Sequence, residues 1–234
     1  MRITVIGASG LIGTKVVELL KIEGHEVVAA SRSSGVDVLT GAGLADTLAG
    51  AGALVDVTNA PSFEADAVIA FFTTAATNVT QAAKAAGVGH YVALSIVGVD
   101  GLPDSPYMRA KVAQERIITE SGLLYSIVRA TQFAEFADAI VESLTVGDEV
   151  RVPDTLIQPI PADEVAAAVA HAATSEPTNG IVNIGGPVKI TFEQMARDVL
   201  ARKGDDTKTV VVDPETRYFG AALSMGSLVT PDTG

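Results

Sequence analysis

The chain contains no cysteine and no tryptophan among its 234 residues. Without cysteine there is no disulfide, no thiol nucleophile and no thiolate metal site, which fits a reducing, cytoplasmic setting. Basic residues are also scarce. Lys and Arg number 16 against 28 Asp and Glu, giving a formal net charge of −12. A surface of that sign repels phosphate backbones and anionic membranes, so no nucleic-acid and no membrane partner is expected. A single anionic cofactor is compatible, because it needs only local donors. No uninterrupted apolar run approaches the roughly 20 residues of a spanning helix. Apolar strand patterning begins at Ile3, leaving no room for a signal peptide in the sequence as read. His25, His90 and His171 are isolated, with no His/Asp/Glu spacing that suggests a metal, and they read as surface or packing residues.

What is present is apolar and small-residue rich: 48% hydrophobic and 19% charged, with Ala, Val and Gly prominent. This is enough to bury a substantial core. Ile3 to Ile6 reads as a strand, followed by glycines at 7, 10 and 13 and a helix over about Leu11 to Glu23. Strands are expected at Glu26–Ala30, Val36–Leu39, Leu54–Val57, Tyr91–Leu94 and Tyr125–Val128. Helices are expected between them at Leu44–Leu48, Glu64–Ala86 and Pro106–Ser121. Such alternation predicts an α/β fold with a Rossmann-like, doubly wound parallel sheet.

Beyond Arg129 the pattern changes to a helix near Phe133–Leu144 and short, proline-broken strands at Glu149–Val152 and Leu156–Ile160. A helix at Asp163–Ala173, a strand at Ile181–Ile184 and a Thr191-capped helix follow, and then a polar tail from Asp213. We read residues 1–234 as one domain, with 1–130 the dinucleotide-binding core and 131–234 a small C-terminal substrate lobe.

Three constellations carry chemistry. The first is Gly7-Ala8-Ser9-Gly10-Leu11-Ile12-Gly13, a GxxGxxG turn between a first strand and a helix. Glycine lets the backbone bend and approach a ligand, and the free N–H groups and positive dipole of the helix start suit a pyrophosphate. The second lies after the strand at Glu26–Ala30, where an NAD site places an acid on the ribose 2′-OH. Here the residues are Ser31-Arg32-Ser33-Ser34, without an acid. Arg32 can pair with a 2′-phosphate and Ser31 can add a hydrogen bond, so NADP(H) is preferred over NAD(H). The third is Ser95 at a strand end with Tyr107 and Lys111, four apart on one helical face. An ammonium beside the phenol is expected to lower its pKa and make Tyr107 a usable proton donor, with Ser95 holding a carbonyl oxygen.

These segments, together with Tyr107-Met108-Arg109-Ala110-Lys111, Gln114-Glu115 and Val128-Arg129-Ala130-Thr131-Gln132-Phe133, resemble the short-chain dehydrogenase/reductases. The resemblance is to their atypical, NmrA-like NAD(P)-binding branch. It implies that Ser95 and Tyr107 polarise and protonate a carbonyl, and that Lys111 binds the nicotinamide ribose. It implies further that Asn59, Ala60 and Pro61 run along the cofactor and that Asp37 and Val38 border the adenine. Thr131, Gln132 and Phe133 would floor the nicotinamide and substrate pocket. Phe63, in the loop before the long helix, is a candidate cover for the substrate.

The functional expectation is an NADPH-dependent oxidoreductase that reduces a small carbonyl or quinone by hydride transfer. The alternative is an NADP(H)-binding redox sensor without turnover. An epimerase or dehydratase holding NAD is disfavoured by the missing acid. A small-molecule substrate and a monomer or homodimer are expected.

Overall fold

The first strand is buried on both faces, and only its first residue, Arg2, is not fully buried. A strand like that belongs in the middle of a parallel sheet covered on both sides. The computed structural model, which describes residues 1–231, places it there. In chain order the first half comprises β1 (Arg2–Ile6), α1 (Leu11–Ile22), β2 (Glu26–Ala30), α2 (Leu44–Leu48), β3 (Ala53–Asp56) and α3 (Ala65–Ala86). It continues through β4 (His90–Ile96), α4 (Pro106–Thr119) and β5 (Tyr125–Ala130). The second half holds α5 (Ala137–Ser143), β6 (Thr145–Val146), β7 (Glu149–Val152), β8 (Leu156–Ile157) and α6 (Ala162–Thr174). It closes with β9 (Gly180–Ile184), β10 (Ile190–Thr191), α7 (Phe192–Lys203) and β11 (Thr209–Val212).

Six strands form one all-parallel sheet in the order β2-β1-β3-β4-β5-β9. Helices α1 and α6 cover one face, burying Val16, Leu20, Val165 and Val169 against β1, β3, β4 and β5. Helices α2, α3 and α4 cover the other through Leu44, Leu48, Val79, Ala83 and Ile118. A fully buried side chain such as Leu20 or Leu54 contributes about 1.5–3 kcal/mol. The winding reverses direction between β1 and β3. The crevice at the carboxyl ends of those strands is therefore where an open sheet of this kind takes its ligand.

A second core lies beyond the carboxyl ends, where Ile140, Val150, Val152, Phe192, Val199, Tyr218 and Leu228 pack on Val99, Leu102 and Met108. Its scaffold is a three-stranded sheet, β11-β7-β6, and a β10-β8 pair. Of residues 131–231, α6 and β9 lie with the main sheet, and α5, α7, β7 and the segment holding Tyr218 and Leu228 contribute to this second core.

One expectation needs correction. Val36–Leu39 is not a strand. The Asp37 carboxylate accepts the Leu39 and Thr40 N–H groups at 2.7 and 3.3 Å, folding the segment into a tight turn, and Asn78 Nδ2 donates to the carbonyls of Val38 and Leu39. The polar tail after Asp213 contributes Tyr218 and Leu228 to the second core.

Candidate active site

The glycine turn is built by close backbone approach. A Cβ on Gly13 would lie 2.1 Å from the Gly7 carbonyl oxygen, and one on Gly7 2.8 Å from the Val57 carbonyl group. The turn therefore presses both on its own helix and on the loop after β3. The Gly7 and Ala8 N–H groups both donate to the Ala30 carbonyl at 3.0 and 3.1 Å, tying the turn to the end of β2. No side chain caps α1 at Gly10, and Ser9 and Leu11 are exposed beside its first turn. Orphan N–H groups over a concave glycine surface suit a pyrophosphate, with Ile12 and Gly13 completing that first turn.

After β2, Ser31 and Ser33 share a hydrogen bond of 2.8 Å, and the Ser34 hydroxyl accepts the Ser31 N–H at 2.9 Å. These bonds fix a short 3-10 turn, Arg32–Ser34. The Arg32 side chain is exposed and makes no hydrogen bond or ion pair among the described residues. A free guanidinium at this place fits a 2′-phosphate. Asp37 is occupied with its own turn, and a mainly apolar groove of about 350 Å³ is lined by Leu39, Pro61, Phe71 and Thr74. Val38 is half-buried against the α2–α3 core.

Helix α4 starts at Ser105, whose hydroxyl accepts the Met108 N–H, and Pro106 fits its first turn. This start sets Tyr107 over the crevice. Its hydroxyl donates to Asn59 Oδ1 at 3.0 Å, and that same oxygen accepts the Ala60 N–H at 3.0 Å. Ala60 is buried and Pro61 exposed. Ser95 alternates along β4 with Tyr91 and Ala93, onto the face covered by α3 and α4. Ser95 is only 4% exposed, and its Oγ has no hydrogen-bond partner. A buried hydroxyl without a partner is uncommon in a folded protein.

Lys111 does not face the phenol as its spacing suggests. Its ammonium donates to the Leu94 carbonyl at 2.9 Å and to Gln114 Oε1, and sits 4.6 Å above the Phe72 ring. Burial lowers its pKa to about 8, with Asp56 and Glu115 opposing the fall. Tyr107 is not made more acidic by it; burial pushes the phenol up to about 12. Removal from water outweighs a cation whose charge is turned elsewhere.

Asp56 and Gln114, which sequence reasoning left without roles, join these parts. The Asp56 carboxylate is buried and accepts from Tyr91 OH (2.7 Å), Thr58 Oγ1 (2.7 Å), Thr58 N (3.0 Å) and Gln114 Nε2 (3.2 Å). One arm runs through Thr58 to Asn59 and Tyr107, and the other through Gln114 to Lys111. The signal in the sequence was a lone acid inside the apolar run Leu54-Val55-Asp56-Val57.

Of the expected pocket floor, Thr131 is taken up elsewhere: it is buried and its hydroxyl donates to the Gln158 carbonyl, bracing β5 on β8. Gln132 keeps a buried, unpartnered Oε1. Phe133 stacks on Phe136 with ring centroids 5.5 Å apart. Phe63 does lie against Tyr107, with centroids 5.4 Å apart. A second ring there was not foreseen. Phe219, from the tail, lies 6.0 Å from Tyr107 and 5.7 Å from Phe63. A separate cleft of about 780 Å³ between α6 and β9, lined by Ile160, Glu164, Asn183 and Lys189, shares no residue with this site.

Comparison with known proteins agrees with this geometry. A family model described as NAD(P)H-binding matches residues 7–176. A chloroplastic divinyl chlorophyllide a 8-vinyl-reductase of Oryza sativa subsp. indica is 31% identical over 222 residues, 80% of this chain. The chain spans about half, 55%, of that protein's length. Among solved structures, an NADPH-dependent quinone oxidoreductase of Escherichia coli, complexed with NADPH, superposes with a TM-score of 0.71 at 22% identity, covering 90% of this chain and 77% of its own. A dTDP-glucose 4,6-dehydratase of Streptomyces venezuelae with NAD bound gives 0.76 at 19% identity, over 97% and 89%. At such identities the structures establish the Rossmann-like fold alone, whereas the family match extends from the glycine turn through α6. The chain therefore belongs to the NAD(P)H-binding family.

Proposed function

We propose that this protein is an NADPH-dependent reductase of a small carbonyl or quinone, built on an NmrA-like short-chain dehydrogenase/reductase framework and working as a cytoplasmic monomer or homodimer. The observation that carries the reading is the Tyr107 hydroxyl held by Asn59 at the switch-point crevice, with the buried, unpartnered Ser95 Oγ on the same side of the sheet. The glycine cradle and the free Arg32 fit a phosphorylated dinucleotide, and the rice reductase and the NADPH-bound quinone oxidoreductase support a reductive role.

When bound, the dinucleotide supplies hydride to an electrophilic carbon. Gly7, Gly10, Leu11, Ile12 and Gly13 hold its pyrophosphate, and Arg32 with Ser31 selects the 2′-phosphate. Asn59, Ala60 and Pro61 line its path. Ser95 donates a hydrogen bond to the substrate oxygen. Tyr107 then turns its proton from Asn59 Oδ1 to that oxygen as negative charge develops there. Lys111 stays beneath the site, fixed on Leu94 and Gln114. A phenol of pKa about 12 is protonated throughout the neutral range and serves donation rather than abstraction. A quinone needs that proton least, because a hydroquinone oxygen is a weaker base than an alkoxide.

A second reading, an NADP(H) sensor without turnover, is favoured by the two rings that cover Tyr107. The test is titration with NADPH and NADH, followed by NADPH oxidation against quinones and aldehydes. Tyr107→Phe is expected to lower kcat for aldehydes by about a hundredfold and for quinones by less than about tenfold. Arg32→Ala is expected to narrow the preference for NADPH by roughly tenfold. Tight NADPH binding with no turnover of any acceptor overturns the reductase in favour of the sensor.

A further inference from the structure

Phe219 occupies backbone that suits phenylalanine poorly. Tyr218 and Ala221 exchange both N–H···O bonds, at 2.9 and 3.0 Å, closing a two-residue turn. Both central residues have positive φ, +48° at Phe219 and +82° at Gly220. This is the type I′ signature, in which Asn, Asp or Gly is favoured at the first central position and a bulky ring is strained. Strain of this kind persists only where the surroundings enforce it, and it clusters at ligand clamps.

The surroundings here are specific. Arg217 reaches from the turn to Asp104 Oδ2 (3.2 Å), just before α4, and back to the Gly220 carbonyl (3.0 Å). Tyr218 anchors the turn beneath, buried against Phe192. The turn is thereby pinned above the start of α4, and the Phe219 ring is left 44% exposed beside Tyr107. Phe63 faces it from the loop after β3, 56% exposed, with the two rings tilted by 44°. Two half-exposed aromatic rings thus flank the one candidate proton donor, where water-facing polar residues would be cheaper. The two arginines carried by this turn and the start of α4 are engaged, Arg217 on Asp104 and Arg109 on the Pro103 carbonyl. Among the described residues, the surface beside Tyr107 therefore offers a substrate ring faces rather than either of these cations.

We propose that Phe219 and Phe63 form a clamp that selects a planar, uncharged, conjugated carbonyl acceptor, with Phe219 the specificity-determining residue. The inference rests on the reductase reading for its chemistry, and the ring geometry supplies the substrate class. Stacking on the exposed faces of the two rings would hold a flat acceptor with its oxygen toward Tyr107, whereas a small aliphatic dicarbonyl would gain little from them.

The test compares 1,4-naphthoquinone with 2,3-butanedione for wild type, Phe219→Leu and Phe219→Asn. Wild type is expected to favour the naphthoquinone in kcat/KM. Both variants are expected to lower that preference by roughly tenfold or more, mainly through KM for the quinone. Asn suits the turn, so Phe219→Asn is expected to keep or raise Tm while losing selectivity, which separates the clamp from a packing role. An unchanged preference, an equal loss with both acceptors, or a Tm lowered by several degrees in Phe219→Asn overturns the clamp. Calorimetric titration of the NADP⁺-loaded protein with 1,4-naphthoquinone distinguishes the two readings. If wild type turns over neither acceptor yet binds the quinone roughly tenfold more tightly than both variants, the reductase fails and the clamp stands. Equal binding by all three proteins removes the clamp.

Discussion

Two buried cations meet at α4, Lys111 on the helix itself and Arg129 packed against it from β5, and the fold treats them in opposite ways. Arg129, at the end of β5, is 8% exposed and meets two carboxylates. Its Nη1 and Nη2 donate to Asp100 at 2.7 Å each, while Nε donates to Glu115 at 2.9 Å. Burial works against its charge, but the hydrogen bonds to Glu115 and Asp100 prevail and hold its pKa above the ordinary arginine value. Lys111 is 4% exposed and has no carboxylate in direct contact, only a carbonyl, an amide and a ring face. Its pKa falls to about 8. Both side chains are shielded from water, Lys111 more completely, and only the cation that carboxylates touch is held above its ordinary pKa. Arg129 clamps α4 and the preceding loop to the sheet. Lys111 is left with its pKa near 8 by burial, close to the candidate proton donor.

The comparison can be broken first at Arg129. Arg129→Met leaves the Glu115 carboxylate buried without its partner, and unfolding by denaturant should show a loss of about 3–5 kcal/mol at neutral pH. A loss below about 1 kcal/mol would show that the clamp carries little of the fold.

Lys111 should give a smaller and pH-dependent effect of definite sign. The folded chain gives up this proton near pH 8, whereas an unfolded lysine keeps it to about 10.5. Between about pH 8 and pH 10 the unfolded state therefore binds more protons, and stability contributed by this site rises with pH, by up to roughly 2–3 kcal/mol. Above about pH 10 the raised phenol pKa of Tyr107 works in the other direction, because the folded chain then holds a proton that the unfolded chain has lost. Lys111→Met should remove the rise between pH 8 and 10 in denaturant unfolding curves. A rise that survives the substitution belongs to another group.

The smallest effect is expected at Asp56. Its charge opposes the fall of the Lys111 pKa, so Asp56→Asn should move the Lys111 midpoint further below 8, by about half to one unit. The Lys111 Cε chemical shift reports it. A midpoint that rises would mean that the network rearranges rather than merely losing a charge.

Much of this molecule was legible because its signals are local. Strand, glycine turn and helix at the amino end follow from residues in contact with their near neighbours, and β2 and α2 begin and end where their patterns do. Val36–Leu39 looked like a strand because its apolar residues are strand formers. One carboxylate, at Asp37, captured the N–H groups that a neighbouring strand would have needed. β11, Thr209–Val212, carries a strand-like run that was overlooked.

The site was legible in its residue types and illegible in its distances. Tyr107 and Lys111 share a helical face, but the spacing contains nothing about Phe72, Leu94 and Gln114, which hold the ammonium away from the phenol. Thr131 was placed near the pocket by motif, yet its hydroxyl meets a carbonyl 27 positions later. Phe219 lay out of sight because its importance comes from a tertiary neighbour 112 residues away, Tyr107.

The carboxylate of Asp56 has one last consequence, for tolerance to change. It fixes Thr58, whose neighbour Asn59 steadies the phenol, and Gln114, which steadies the ammonium. Substitutions on the β3 loop and on α4 consequently share a term, and their costs do not add. A double substitution at Thr58 and Gln114 should therefore cost a different amount from the sum of the two single ones, although the positions lie far apart in sequence.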